Sequence, residues 1–160
     1  MPERTTLTPG QRLAWTGLAL VGAVFAVLAT VEMLQNWLPL QVGEPDWEFG
    51  TTSHFFDIFP FLGLGLALLI GAGVAMGRRW QVRTVAILGI LVAVAMWLVL
   101  VLWATVLPIT FRAASNPALV LTLKKAAAKT AVQALVYPFA LLWLAGAGWR
   151  ATSGRGRPES

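Results

Sequence analysis

The chain has 160 residues, of which 58% are hydrophobic and only 12% are charged, whereas an ordinary soluble domain has roughly 45–50% apolar and about 25% charged residues. Its formal charge of +5 comes from lysines and arginines scattered over short connections and chain ends, which argues against a nucleic-acid-binding face. Without cysteine, the chain has no disulfide, thiolate metal site, cysteine nucleophile or covalently attached c-type haem.

The first long apolar run covers residues 13–38. It has room for the roughly 20 residues that a spanning helix needs, and it is longer than the apolar region of a signal peptide, which has about 7–15 residues. We therefore expect a retained first span. Residues 1–12, which include Arg4 and Arg12, are predicted to form a cytoplasmic N-terminal segment because basic residues mark the inner side of a span.

Three further apolar runs follow, and each is predicted to cross the membrane. They cover about residues 58–76, 84–107 and 130–149. The third run stops at Pro108. Residues 150–160 are rich in Gly, Ser and Pro and cannot build a core, so they are predicted to be a disordered cytoplasmic tail.

The basic residues predict how the four spans are oriented. They cluster in the second connection and after the fourth span, as Arg78, Arg79, Arg83, Arg150, Arg155 and Arg157. By the positive-inside rule, both termini and the second connection are cytoplasmic, and the first and third connections lie outside. Because the connections are short, we expect an all-α membrane protein, a four-transmembrane-helix bundle with up-down-up-down topology.

The first connection is acidic. Its carboxylates are Glu44, Asp46, Glu48 and Asp57. Residues 39–56 also contain several prolines, glycines and aromatic residues, a composition that favours an irregular loop at the headgroup level over a helix.

The third connection is basic and is predicted to be helical. Asn116 and Pro117 suit an N-cap and a first helical position, so residues 117–129 are expected to extend the fourth span outward. The resulting helix, about 50 Å long at about 1.5 Å per residue, exceeds the roughly 30 Å hydrocarbon core.

The basic patch of this outer layer comprises Arg112, Lys124, Lys125 and Lys129. We expect it to neutralise the acidic first connection. The alternative is a docking site for anionic lipid headgroups, a partner protein or an anionic substrate.

A polar intramembrane site is predicted at Glu32, Gln133 and Tyr137. Glu32 is the only acidic residue of the first run, and Gln133 and Tyr137 are four residues apart on one face of the fourth helix. This trio could bind a proton, a cation or another ligand, since a charged residue near the bilayer centre is costly and usually marks a functional site. The alternative is hydrogen bonding between helices that holds the bundle together.

Sequence patterns of metal sites and enzymes are weak in this chain. His54 is the only histidine, and one histidine without cysteine or clustered carboxylates is a weak candidate for a metal, haem or chlorophyll-type pigment. No HExxH, CxxC or phosphate-binding-loop pattern occurs. We therefore predict no catalytic residues, no metal and no cofactor, and leave the haem or pigment ligand open as an alternative.

Small residues four apart predict close helix packing. The pairs are Gly73 with Gly77 and Ala127 with Ala131. They suit contacts within the bundle and contacts with another membrane subunit equally well.

Residues 37–68 resemble a known family. The resemblance is carried by Trp37-Leu-Pro-Leu-Gln-Val-Gly-Glu-Pro-Asp-Trp-Glu-Phe-Gly and by Pro60-Phe-Leu-Gly-Leu-Gly-Leu-Ala-Leu, which are similar to the first two helices and their loop in the HpsJ-like family of small four-span bacterial membrane proteins. The resemblance implies a role in exported polysaccharide or envelope systems, and no catalytic residues come with it.

These features together predict a non-enzymatic accessory or assembly subunit of a larger complex in a bacterial inner membrane or in an internal membrane derived from it. Its expected partners are the lipid bilayer and other membrane subunits. Two alternatives stay open: a small transporter or ligand-binding protein that uses the outer-leaflet polar site, and a pigment- or haem-associated subunit.

Overall fold

A computed structural model describes residues 7–114 and 116–153 of the chain. These residues form four helices: α1 Pro9–Trp37, α2 Pro45–Ala75, α3 Arg79–Ala113 and α4 Pro117–Ser153. Each helix is long and apolar enough to cross a membrane, which indicates a multi-pass membrane protein. Arg4, Arg155 and Arg157, with residues 1–6 and 154–160 of the predicted terminal segments, lie outside the described residues.

Helix α1 begins with a capping box. Thr8 Oγ1 accepts a hydrogen bond from the Gln11 N–H at 3.3 Å, and Gln11 Oε1 accepts one from the Thr8 N–H at 2.9 Å. Pro9 occupies the first turn, where a missing backbone donor carries no cost. This arrangement satisfies two backbone donors that a helix start otherwise leaves without partners.

Helix α2 starts eleven residues before Phe56, the end of the predicted loop. The prediction of an irregular loop is therefore wrong for residues 45–56. Pro45 fixes the first helical turn, and the carboxylates of Asp46 and Glu48 lie at the positive end of the helix dipole. These turns are also packed against the rest of the molecule through the buried side chains of Phe49, Phe55 and Phe56. The helix is therefore stabilised by packing as well as by the residues of its first turn.

Helix α3 continues through Pro108 and ends at Ala113, so the helix is longer than the predicted span. Burial explains the extension. Val106 and Thr110 are buried on either side of the proline, and Phe111 packs on the cluster formed by Phe49, Trp103 and Ala127. These contacts offset the single backbone hydrogen bond that the proline cannot donate.

Helix α4 begins at Pro117, the residue at which the sequence predicts its start. Asn116 Oδ1 accepts a hydrogen bond from the Ala118 N–H at 2.9 Å, as an N-cap side chain does. At the other end, helix continues through residues 150–153, which the sequence assigns to a disordered tail. Thr152 is buried, and its hydroxyl donates to the Trp149 carbonyl at 2.9 Å, so this last turn is packed.

A Schellman turn links α2 to α3. The Arg78 N–H donates to the Gly73 carbonyl at 2.8 Å and the Gly77 N–H donates to the Val74 carbonyl at 3.2 Å. Gly77 has φ +68°, a left-handed conformation that residues other than glycine rarely adopt. Gly77 thus ends the helix, and nothing lies within 4 Å of the position that a Cβ would take there.

Helix α2 is the centre of the packing, because it contacts α1, α3 and α4, whereas α3 and α4 also contact each other. Among the described residues, no Cα of α1 lies within 8 Å of a Cα of α3 or α4. The main core is apolar, and its largest fully buried side chains include Phe56, Met96 and Val82. The fold is therefore a three-helix core with α1 attached to α2.

The attachment of α1 to α2 requires two glycines. A Cβ at Gly22 would lie 2.8 Å from the Gly65 carbonyl oxygen, and a Cβ at Gly65 would lie 2.7 Å from the Gly22 carbonyl oxygen. The two backbones therefore touch directly, as small residues permit where membrane helices cross. Phe25 and Phe61 stack beside the crossing with ring centroids 6.2 Å apart.

Candidate functional site

Polar side chains gather along α2, where it faces α1 on one side and α4 on the other. The polar cluster comprises Glu32 of α1, Ser53, His54 and Asp57 of α2, and Lys129, Thr130, Gln133 and Tyr137 of α4. The one-turn spacing of its members within α2 and within α4 places them on facing sides of the two helices. The cluster is the strongest concentration of polar contacts between helices in the described part of the chain.

Asp57 is the centre of the cluster. Lys129 Nζ lies 2.7 Å from Asp57 Oδ1, and Gln133 Nε2 donates a hydrogen bond to the same oxygen at 3.1 Å. The Asp57 side chain is 42% exposed and the Lys129 side chain 58% exposed, so the ion pair contributes only about 0–1 kcal/mol. Its main effect is to fix the first turns of α2 beside α4.

Gln133 and Tyr137 contact each other, as their spacing predicts. Gln133 Nε2 also donates to the Tyr137 hydroxyl at 3.4 Å, and the Tyr137 ring stacks on Phe59 with centroids 4.7 Å apart. Gln133 Oε1 is buried and accepts no hydrogen bond from any described residue. A buried amide oxygen without a donor costs stability, so this atom marks an unfilled acceptor at the site.

Glu32 lies apart from Gln133 and Tyr137. Its Oε1 is 3.7 Å from His54 Nε2, and the recorded polar contacts of Gln133 are with Asp57 and Tyr137 instead. The structure thus joins the predicted trio only in part, and it brings in His54. His54 Nε2 is buried and lacks a hydrogen bond within the described residues, since 3.7 Å is too long for one.

A hydroxyl pair extends the cluster. Thr130 is 1% exposed, and its hydroxyl donates to Ser53 Oγ at 3.2 Å. Neither residue belongs to the predicted site. The available signal is that Ser53 precedes Asp57 by four residues and Thr130 precedes Gln133 by three, so each shares a helix face with a member of the cluster.

The outer charges pair only in part. Lys129 joins Asp57, but Arg112, Lys124 and Lys125 are exposed and no described carboxylate lies within 4 Å of their charged nitrogens. Glu48 Oε1 accepts a hydrogen bond from the Gly43 N–H at 2.9 Å.

Glu44, Asp46 and Glu48 make no ion pair within the described residues. The predicted neutralisation of the first connection by the basic patch is therefore observed only at Asp57.

No group of three or more His, Asp or Glu side chains in the described residues is arranged to hold a metal ion. His54 has Glu32 as its nearest ionic neighbour, and tight metal sites use more ligands than these two. A haem or pigment at His54 stays a prediction.

The predicted packing residues differ in their surroundings. A Cβ at Gly73 would lie 2.7 Å from Val82 Cγ2, and Ala127 is buried with Phe49 and Trp103. Gly73 and Ala127 therefore allow close packing within the chain itself, whereas Ala131 is only half-buried.

A groove runs along α2 between α1 and α4, because these two helices do not touch. It has a volume of about 400 Å³. Its lining residues are apolar and mostly small: Trp15, Ile70, Gly71, Val74, Ala75, Leu144, Ala147, Gly148 and Ala151. Gly71 is exposed, and nothing lies within 4 Å of the position that a Cβ would take there.

No protein-family model, curated protein or solved structure matches the chain. The resemblance of residues 37–68 to the HpsJ-like family therefore stays a prediction.

Proposed function

We propose that the protein is a non-enzymatic accessory or assembly subunit of a larger membrane complex, and that the groove between α1 and α4 receives a helix of another subunit. The observation that supports this proposal is the exposed small-residue lining of the groove. Small residues let membrane helices approach closely, and packing of this kind drives their association where lipid is as apolar as the side chains.

Gly71 is the groove residue that favours a contact with a second molecule. A glycine inside a helix costs about 1 kcal/mol relative to alanine, so it needs a compensating reason. Gly148 has one inside the chain, because a Cβ there would lie 2.9 Å from Ile70 Cγ2. Gly71 has open space instead, which fits a contact with a second molecule.

The proposed arrangement in the membrane is up-down-up-down with both termini cytoplasmic. Contacts such as Glu32 with His54 and Gly22 with Gly65 support an antiparallel α1 and α2. The arginine clusters support an inner location for the end of the molecule at which Arg83 lies over the Trp149 ring. A bacterial inner membrane and an envelope or polysaccharide-export system rest on the family resemblance.

Purification from native membranes tests the proposal. We expect a membrane subunit to co-purify with the wild-type chain, and Gly71→Leu or Ala147→Leu to reduce its recovery roughly tenfold, the equivalent of about 1.4 kcal/mol. Both changes fill the groove. Ala95→Leu is the matched control, because Ala95 is an exposed alanine of α3 that does not line the groove.

The proposal is contradicted if the wild-type chain is recovered alone as a stable monomer. It is equally contradicted if the groove variants and Ala95→Leu retain a partner to the same extent.

A second candidate is a small transporter or ligand-binding protein that uses the polar cluster. Two buried polar atoms without partners, Gln133 Oε1 and His54 Nε2, favour it, because such atoms mark places where a ligand or proton can be bound. Glu32→Gln should then alter uptake or proton coupling in vesicles. Unchanged transport in this variant would oppose the second candidate.

A further inference from the structure

A second cavity, separate from the groove and from the polar cluster, lies at the end of the molecule where α2 begins. Its volume is about 350 Å³, within the range of roughly 300–1,000 Å³ that is typical of small-molecule sites. The lining residues come from the end of α1, the first connection, the first turns of α2 and the later part of α3: Trp37, Leu40, Val42, Trp47, Glu48, Thr51, Thr52, Val99, Leu102, Trp103, Thr105 and Val106.

Three tryptophans line this cavity, and two of them are held by other aromatic rings. Trp103 is 4% exposed and stacks on Phe49 with centroids 5.9 Å apart. Trp37 packs on Phe55 with centroids 6.3 Å apart. Trp47 comes from the first turn of α2. Aromatic faces attract cations through the ring quadrupole, and tryptophan is the best of them.

The charge at the cavity is negative. Glu48 lines it, and Glu44 and Asp46 lie within four residues on the same helix start. Among the described residues, no Lys or Arg nitrogen lies within 4 Å of these three carboxylates. The lysine that does form an ion pair, Lys129, binds Asp57 instead. Within residues 7–114 and 116–153, the acidic start of α2 therefore has no cationic partner.

The rest of the lining suits an apolar body. Val99, Leu102 and Val106 form one wall from α3. Thr51 and Thr52 add hydroxyls that make no hydrogen bond to another described residue, whereas the Thr105 hydroxyl donates to the Leu102 carbonyl at 2.6 Å. The cavity is thus surrounded by aromatic rings, a carboxylate and an aliphatic wall.

We propose that this cavity binds a lipophilic quaternary ammonium cation. The ammonium head lies among the tryptophans beside Glu48, and the alkyl part lies along the α3 wall. The same chemistry is found in a choline phospholipid headgroup and in a free alkylammonium compound. The proposal goes beyond the accessory role, because the cavity shares no lining residue with the groove.

Binding of a radiolabelled alkyltrimethylammonium to the full chain in nanodiscs of phosphatidylethanolamine and phosphatidylglycerol tests the proposal. Empty nanodiscs correct for partition into lipid, and an uncharged alcohol of the same chain length reports apolar binding alone. We expect saturable binding of the cation above the empty-disc level, and roughly tenfold weaker binding of the alcohol.

Glu48→Gln should weaken cation binding roughly fivefold to tenfold and leave alcohol binding unchanged. Glutamine keeps an acceptor for the Gly43 N–H, so the variant preserves the local hydrogen bond. Glu48→Asp is the matched control, because it keeps the carboxylate at this position, and it should weaken cation binding less than Glu48→Gln does. Trp47→Leu should also weaken binding, whereas Trp143→Leu, at a position that is 75% exposed, should not.

The natural source of the cation is resolved by changing the lipid. If the site takes a choline headgroup, phosphatidylcholine in the nanodisc competes and lowers the apparent affinity for the probe. If it takes a free cation, the affinity is unchanged. Absence of saturable binding, or equal effects of Glu48→Gln and Glu48→Asp, would overturn the proposal.

Discussion

At the scale of single residues, the side chain of Gln133 has one polar atom with hydrogen-bond partners and one without. Its Nε2 donates to Asp57 and to Tyr137, while its Oε1 is buried with no donor among the described residues. The amide is therefore half satisfied. A half-satisfied buried group contributes little to stability, because the unfilled acceptor offsets the bonds that are made.

Substitutions of Gln133 should separate these contributions. We expect Gln133→Leu to change the free energy of unfolding by no more than about 1 kcal/mol, because it removes the unfilled oxygen together with the donors. Gln133→Glu should destabilise the protein by roughly 1–3 kcal/mol, because it replaces a donor to Asp57 with a second carboxylate. Thermal unfolding followed by circular dichroism in detergent measures both.

Gln35→Glu is the matched control for the charge change, since Gln35 is exposed on α1. It should lower the unfolding temperature less than Gln133→Glu does, since a like charge one turn away costs only about 0.2–0.5 kcal/mol on an exposed helix face. If Gln133→Glu were as stable as this control, the hydrogen bond from Gln133 to Asp57 would have no energetic role.

The residue scale also shows how far one sequence can predict a site. Gln133 and Tyr137 are four residues apart, so helix geometry alone places them together. The partner of Glu32 depends instead on the position of α1 along α2, which is set by the contact of Gly22 with Gly65. The hydrophobic periodicity of α1 does not reveal its position along α2. For this reason the sequence predicts Gln133 as the neighbour of Glu32, whereas the structure has His54 there.

At the scale of helices, the attachment of α1 is the most sensitive feature. Gly65→Ala would place a Cβ 2.7 Å from the Gly22 carbonyl oxygen and 2.8 Å from the Ala26 nitrogen. Both neighbours are backbone atoms, so α1 must move. We expect a loss of about 1–3 kcal/mol, which is typical of overpacking, measured as a lower unfolding temperature in the same assay.

Gly71→Ala in the same helix is the control, because nothing lies within 4 Å of the added Cβ. Alanine favours helix over glycine in both variants, so only the steric effect differs between them. An equal or higher unfolding temperature for Gly65→Ala would show that α1 and α2 do not cross at these glycines.

The helix boundaries show which signals prevail in this chain. Pro45 followed by two acidic residues in the first turn is the signal for the start of α2, but the glycines and aromatic residues of the connection favour a loop. Pro108 favours an end to α3, but the buried side chains around it keep the helix intact. Tertiary packing overrides local preference in both cases.

At the scale of the whole molecule, the 2.7 Å contact of Lys129 with Asp57 ties the start of α2 to the extension of α4. On the proposed topology, the first and third connections lie on one side of the membrane. The positive-inside rule predicts the arginine-rich second connection and the end of α4 on the other side. We therefore expect the acidic connection and the basic patch to share the outer face.

Single cysteines test this arrangement directly, because the chain has none of its own. We expect Glu44→Cys and Lys125→Cys to react with a membrane-impermeant maleimide in intact cells. Arg78→Cys and Arg150→Cys should react only after the cells are opened. All four positions are exposed, so a lack of reaction reports the side of the membrane and not burial. Labelling of Glu44→Cys and Lys125→Cys from opposite sides would be incompatible with the Lys129–Asp57 pair, whereas labelling of both only from inside would invert the orientation and keep the fold.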